Sequence, residues 1–262
     1  MNPVTDYLSK LAEIRSSGYA TNETSYYPAI ETLLAEVGKS LKPRVKPVLQ
    51  LKNRGAGQPD GGLFTQDQLR RGVDAHVIDF AVEPPNRGAV EVKGLGESLS
   101  ETVKGEQVAK YLRAYGQVLV TNYRDFRIVV KGQDGKATVL ESYSVAASED
   151  AFWAAAAHPQ KMTAEHGAHL REFLTRAMLS SVTISSPQHL AGFMASYARD
   201  ALAKVEARAQ LKELAEVRKA LEEALGLKII DEKGEHFFRS TLVQTLFCPA
   251  SAGNGESVRP LR

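Results

Sequence analysis

Ala89-Val-Glu-Val-Lys93 is a short, branched, apolar stretch that follows the turn-forming residues Pro84-Pro-Asn-Arg-Gly88. That composition and punctuation predict a strand over Ala89 to Val92. Alternation along a strand places Glu91 and Lys93 on one face and sends Val92 into the core on the other. An acid and an ammonium are thereby delivered to the same cleft. Taken alone, a Glu-x-Lys pair on a half-exposed strand is usually a solvated charge pair.

Working outward, Val45 to Leu51 and Val77 to Val82 read as further strands. Between them lies the loop Arg54-Gly-Ala-Gly-Gln-Pro-Asp60-Gly-Gly, where four glycines bracket one acid. Upstream, Asn22 is positioned to cap a helix through Tyr26, Ile30, Leu33, Leu34 and Val37, with Gly38 stopping it. Downstream, a helix is expected from about Ser100 to Tyr115, then strands at Val118 to Thr121, Phe126 to Val130 and Thr138 to Tyr143. This order predicts an α/β (α+β) domain built on a mixed β-sheet flanked by helices. From Ala164 to Phe247 the chain reads as nearly all helix, joined through the alanines around Ala154 to Ala157. There Phe193, Tyr197, Leu211, Leu214, Val217, Leu221 and Leu225 form an apolar stripe suited to packing within a bundle. The stretch from Cys248 to Arg262, rich in Pro, Gly, Ser and Asn, is expected to be disordered.

Asp60 and Glu91, thirty-one residues apart, are the acids of interest. Mg²⁺ takes one or two carboxylates together with waters and phosphate oxygens. A bound metal lowers the pKa of its water, and a neighbouring ammonium orients that water or stabilises developing charge. Asp60 must reach Glu91 and Lys93 from another strand or its preceding loop, and the glycines beside it suit close backbone approach to a phosphate. Gln107 and Tyr111 lie four apart on one face of the following helix. Without the other motifs, an exposed Gln above a partly buried Tyr is their plain reading, and Gly-Gln-Pro-Asp-Gly is an ordinary turn.

In this order and spacing, Asp60, Glu91-x-Lys93 and Gln107-x-x-x-Tyr111 resemble the PD-(D/E)XK nuclease superfamily, in its Mrr-like branch. Thr21-Asn-Glu-Thr-Ser-Tyr-Tyr-Pro28, Leu51 to Gly62, and Leu119-Val-Thr-Asn-Tyr-Arg-Asp-Phe126 resemble the N-terminus of fused restriction-modification proteins. These are the type ISP enzymes and related nuclease–adenine methyltransferase fusions. Phe193 to Asp200 and Glu232 to Thr241 are similar to the segment that follows the nuclease there, so the resemblance covers about Tyr19 to Phe247. It implies a nuclease domain over 1–150, a helical coupler over 151–247 and a tail over 248–262. It further implies Asp60 and Glu91 as Mg²⁺ ligands (Mn²⁺ substituting), Lys93 assisting the water, and Gln107 and Tyr111 lining the site. Members often add an acid from the first helix, for which Glu23 is the best positional match and Glu31 the second. The implied activity is hydrolysis of foreign double-stranded DNA. The alternative is a non-cleaving DNA-binding or assembly fragment of an adenine methyltransferase fusion. Such fusions continue into motor or methyltransferase domains, so the chain reads as a truncated or frameshifted version, with those domains supplied in cis or in trans.

Composition sets the bounds. The 262 residues suffice for one large domain or two modest ones, and 43% hydrophobic with 24% charged residues is ordinary for a globular protein. No stretch approaches the roughly 18 apolar residues that span a bilayer, and no secretory signal is visible, so no membrane partner is expected. The single cysteine, Cys248, fits a reducing cytoplasm. Net charge is only +2, but Lys39, Lys42, Arg44, Lys46, Lys52 and Arg54 form a run without an acid. Such a run is commonly a solvated face; beside a metal-nuclease site it suits the phosphate backbone, to which Lys104, Lys110, Arg113, Arg124 and Arg127 would add. No phosphate loop for ATP and no Asn-Pro-Pro-Tyr/Phe sequence of the S-adenosylmethionine-dependent adenine methyltransferases is present. His158, His166 and His169 read as surface residues, and Trp153 beside Phe152 as a packing anchor.

Overall fold

The computed structural model describes residues 2–21, 23–51, 58–74, 84–179, 187–207, 212–226, 228–229 and 232–247. Two compact units, Met1–Ser196 and Tyr197–Arg262, divide the chain.

The first unit is the expected mixed sheet between helices. Helix α1 (Pro3–Ser16) is capped by the Asn2 side chain, which accepts the Val4 N–H, and it buries Val4, Tyr7, Leu8 and Leu11. That stripe has helical spacing within a stretch of polar overall composition. A single 3-10 turn, Thr24–Tyr26, leads into α2 (Tyr27–Lys39). Then come β1 (Val45–Leu49), β2 (Gly61–Thr65), α3 (Gln66–Asp74), β3 (Ala89–Val92), α4 (Leu99–Lys104) and α5 (Glu106–Tyr115). The strands β4 (Gln117–Thr121), β5 (Asp125–Lys131) and β6 (Ala137–Ser144) are followed by α6 (Glu149–Ala156) and α7 (Pro159–Leu179).

The six strands lie in the order β1-β2-β3-β4-β5-β6. Neighbours run antiparallel except β3 and β4, which are parallel in register Ala89↔Val118 to Val92↔Thr121. Parallel neighbours need a crossover, and α4 with α5 supply it. Alternation then sorts the strand side chains into two cores. Val90, Val92, Leu119, Phe126 and Ile128 pack with α1, α2, α6 and α7. Ala89, Val118, Val120 and Val129 pack with α4 and α5, against Leu99, Val108, Tyr111 and Leu112. The compact unit thus runs past residue 150, because α6 and α7 place Phe152, Trp153, Leu170, Phe173 and Met178 in the first core.

Several local expectations change. The helix expected from Ser100 to Tyr115 is two, because Gly105 turns extended (ψ 151°) between α4 and α5. The first strand stops at Leu49, where Gln50 takes a positive φ of 57°. The stretch after Asp60 is strand β2 rather than loop. Gly61 and Gly62 serve packing there, since a Cβ on Gly61 would lie 2.3 Å from Leu49 Cδ2 and one on Gly62 would lie 2.8 Å from the Phe64 ring. His166 is half-buried, with Nδ1 2.8 Å from the Tyr143 hydroxyl, so it is not the surface residue expected; burial lowers its pKa. Trp153 is an anchor, 8% exposed, with the Arg15 guanidinium 4.3 Å above its ring. Asn22, Val77 to Val82, Leu211 and the 248–262 tail lie outside the described residues.

Gly38 does not stop α2 but sits inside it, against β1. A Cβ there would lie 2.1 Å from the Val45 carbonyl oxygen. Helix propensity alone would make Gly38→Ala stabilising by about 1 kcal/mol. The backbone clash reverses the sign, because no rotamer change relieves it. Gly38→Ala should cost about 3 kcal/mol, the upper range for overpacking, and lower Tm by roughly 6–12 °C. A thermal melt followed by circular dichroism reads this, and a raised Tm would show that α2 and β1 can part without cost.

In the second unit, the end of α8 (Pro187–Ala207) is followed by α9 (Lys212–Leu225) and α10 (Glu232–Phe247). Arg218 pairs with Glu235 at 2.5 Å and lies over the Phe238 ring, while Phe238 and Val243 are buried. The described residues of the apolar stripe are helical as expected, yet Tyr197, Val217 and Leu225 are exposed. Among the described residues no helix is long and apolar enough to cross a membrane.

Candidate active site

Strand β3 is interior to the sheet and covered on both faces, so an acid placed on it is withdrawn from water. Glu91 faces the α4–α5 side and is 1% exposed. Lys93 continues the parallel ladder, its N–H donating to the Thr121 carbonyl at 2.8 Å. Its ammonium reaches back to Glu91 Oε1 at 2.7 Å and to the Val92 carbonyl at 3.1 Å. The other carboxylate oxygen, Glu91 Oε2, is buried and has no hydrogen-bond partner among the described residues.

Asp60 arrives at this edge because β2 and β3 pair only over Gly61↔Val90 and Gly62↔Ala89. Beyond that point the Val92 N–H has lost its strand partner, and Asp60 Oδ2 accepts it at 2.8 Å. The Asp60 carbonyl meanwhile accepts the Gln50 N–H, tying the residue to the end of β1. The Tyr27 hydroxyl, from the start of α2, donates to Asp60 Oδ1 at 2.8 Å and lies 3.2 Å from Glu23 Oε1. Glu23 therefore joins the group through one hydroxyl. No hydrogen bond or ion pair among the described residues brings Glu31 to it.

Gln107 donates to the Tyr111 hydroxyl at 2.7 Å, as the four-residue spacing on α5 requires. Accepting that bond leaves the Tyr111 proton free to donate elsewhere. Burial raises the Tyr111 pKa, Gln107 opposes this, and the charges of Glu91 and Asp60 add to the rise. The hydroxyl thus lies within electrostatic reach of both acids.

The group carries too much negative charge for its surroundings. Burial, then the nearby Asp60 charge, pushes the Glu91 pKa to about 7 against the Lys93 bond, with Glu23 adding to the rise. Burial alone would lower the Lys93 pKa, but its bond and attraction to Glu91, together with Asp60 and Glu23, raise it. Among the described residues, and fully ionised, Asp60, Glu91 and Glu23 set three negative charges against the single ammonium of Lys93. A divalent cation would balance that excess of two. A Mg²⁺ site fits these residues on the chemistry of the donors and on the orphaned Glu91 Oε2. Among the described residues no group of three or more His, Cys, Asp or Glu is placed to hold a metal together. Asp60, Glu91 and Glu23 are thus not gathered as one such group.

Of the basic run, Lys42 and Arg44 are not gathered at the site. Lys42, Arg44 and Lys46 are exposed, but β1 pairs Val45 with Thr65 and Leu49 with Gly61, so Lys42 and Arg44 lie at the end of β1 away from Asp60. Lys52 and Arg54 lie outside the described residues. Arg124 pairs with Asp125 at 3.3 Å, and Arg127 donates to Ser100 at 3.1 Å. A cavity of about 280 Å³ beside Gly94 to Glu97 is walled by Tyr26, Trp153, Arg15 and Glu149, and neither Asp60, Glu91 nor Lys93 lines it.

Tyr27 and Tyr123 are the residues that sequence reasoning missed. Tyr123, at a positive φ of 72°, donates its hydroxyl to the Glu23 carbonyl at 2.5 Å, and Tyr7 donates to the Tyr123 carbonyl at 2.7 Å. The available signal was the adjacent Tyr26-Tyr27 at the mouth of α2, where one ring packs and the other hydroxyl faces an acid.

No protein-family model matches this chain, and no curated protein matches it. A cryo-EM structure of a DrdV–DNA complex aligns over 94% of this chain, at 16% identity and a TM-score of 0.38. The chain covers 21% of that one, about a fifth of its length. Likeness at that level assigns neither family nor activity.

Proposed function

We propose that this chain is the Mg²⁺-dependent DNA endonuclease domain of a restriction-modification protein. The observation that carries the reading is the buried, unpartnered Oε2 of Glu91, set beside Asp60 and Lys93. The Mrr-like resemblance of Asp60, Glu91-x-Lys93 and Gln107-x-x-x-Tyr111 supports it. Asp60 and Glu91 would hold the ion, with Mn²⁺ able to replace it. When bound, Mg²⁺ would supply Lewis-acid stabilisation of phosphate charge and a water of lowered pKa.

The chain's own groups do the rest. Lys93, fixed by Glu91 and the Val92 carbonyl, keeps an ammonium where an attacking water or a charged phosphate oxygen can meet it. Tyr111, whose hydroxyl accepts from Gln107, lies within electrostatic reach of the same acids. Double-stranded DNA is the partner we assign, with Lys42, Arg44, Lys46, Lys52 and Arg54 as backbone contacts. Methyltransferase or motor domains, in cis or in trans, are the protein partners we assign.

A second reading, a non-cleaving DNA-binding or assembly module, has one observation in its favour. Both Asp60 oxygens already accept protein donors, as in a strand-end cap. Each oxygen keeps a second lone pair, so the cap does not preclude a metal.

A plasmid-nicking assay with Mg²⁺ or Mn²⁺ separates the two, run on wild type, Asp60→Ala and Glu91→Ala beside calorimetric metal titration. We expect wild type to bind metal and nick, and each variant to lose at least about 100-fold in rate. Absence of divalent-metal binding by folded wild type with DNA present would end the nuclease reading. Metal binding without nicking, alone or with the partner domains restored, would favour the module.

A further inference from the structure

Tyr27 occupies a position that neither packing nor helix formation explains in full. Its ring is buried in the first core, which any aromatic could supply. Its hydroxyl instead leaves that core and meets a carboxylate at each side, Asp60 Oδ1 at 2.8 Å and Glu23 Oε1 at 3.2 Å. A phenol has one proton to give, and the shorter contact is to Asp60.

Asp60 lies just ahead of β2, and its side chain has two torsions of its own. One oxygen is fixed by the Val92 N–H from β3 and the other by Tyr27 from α2. Donors from two different elements, one on each oxygen, fix the plane of the carboxylate as well as its position. A single donor would leave it free to turn about that bond. Metal ligands need such support, because an ion that must first immobilise its ligand binds more weakly.

We propose that the Tyr27 hydroxyl is the positioning group that orients Asp60 for the divalent metal. The inference rests on the metal-site reading above. Tyr27 does not touch the ion or the DNA; it acts through Asp60. The neighbouring tyrosines do a different task. Tyr123 and Tyr7 form a hydroxyl-to-carbonyl chain that ends on the Glu23 main chain.

That division sets the experiment. Metal-free Tm and Mg²⁺ and Mn²⁺ affinity by calorimetry are measured on the full chain for wild type, Tyr27→Phe, Tyr123→Phe and Asp60→Asn. Tyr27→Phe keeps the ring, so its Tm should stay near wild type while metal affinity falls about 10- to 100-fold. Placing 4-aminophenylalanine at position 27, which restores an N–H donor, should recover most of the loss. Tyr123→Phe should bind metal as wild type does. The proposal is overturned if Tyr27→Phe binds metal normally, or if its loss follows a fall in Tm and is not rescued. It is also overturned if Tyr123→Phe matches the loss, since the hydroxyl would then act through the Glu23 segment. Failure of the metal-site reading looks different: wild type and Asp60→Asn would then titrate alike, and the role of Tyr27 would fall with it.

Discussion

Lys93→Ala should leave Mg²⁺ binding intact or tighter while DNA cleavage falls about 10²- to 10³-fold, the usual loss for one preorganised charge at a transition state. Among the described residues the ammonium is the sole cation bonded to Glu91, at 2.7 Å, and its side chain is 22% exposed. Removing it deepens the local excess of negative charge and frees Glu91 Oε1 beside the already unpartnered Oε2. Both changes attract a divalent ion. Neither restores the positive charge that a phosphate oxygen or attacking water meets. DNA affinity should hardly move, since one phosphate contact among several lowers the salt slope by at most about one. Single-turnover cleavage at saturating Mg²⁺, with parallel calorimetry, reads both halves. Wild-type cleavage by Lys93→Ala would remove the residue from the mechanism. Loss of metal binding would make it a structural support for Glu91 instead.

The parts of the site that were legible in the sequence are those that local periodicity determines. Strand alternation puts Glu91 and Lys93 on one side, and the ion pair follows from that. Helical spacing joins Gln107 to Tyr111. Four of the six strands, β3 to β6, lie within a residue of where β-branched runs between turn residues placed them. What holds Asp60 was not legible. Its bond to Val92 exists because β2 stops pairing with β3 after Gly61↔Val90, a fact of register between segments about thirty residues apart. The Tyr27 contact depends on where α2 starts relative to the sheet, which is set by the buried packing of the whole helix.

Glycine misled the reading in both directions. In one dimension Gly38, Gly61 and Gly62 resemble punctuation, whereas Gly105 falls inside a stretch that reads as one helix. Only Gly105 acts as punctuation, separating α4 from α5. The other three are sites of close approach inside elements, where a Cβ would strike a neighbour. The spacing to that neighbour is tertiary, so strand β2 was hidden behind its own first two residues. The basic run shows the same limit. Its charges are adjacent along the chain, but the β1–β2 register directs Lys42 and Arg44 away from Asp60.

Glu91→Gln should make the metal-free protein more stable at pH 8, by about 3 kcal/mol if the gap between a pKa near 7 and the ordinary 4.5 is taken at 1.36 kcal/mol per pH unit. The folded state holds the Glu91 proton more tightly than the unfolded chain, because burial and then the Asp60 charge disfavour the carboxylate. Wild-type stability therefore declines as pH rises from about 4.5 to about 7 and is level with respect to this group above that. Glutamine resembles the protonated acid at every pH, so the difference between the two proteins should close toward pH 4.5 and open to its full size by pH 8. Melts across that range would show a gap of roughly 6–12 °C at the alkaline end. Mg²⁺ then works against the variant. At a hundred times its Kd the ion adds about 2.7 kcal/mol to wild type, and little to a protein lacking one of its two carboxylate ligands. The gap at pH 8 should nearly vanish with metal present. If Glu91→Gln is instead less stable than wild type at pH 8 without metal, the pair with Lys93 outweighs the crowding of acids. The electrostatic case for a cation at this site would then be lost.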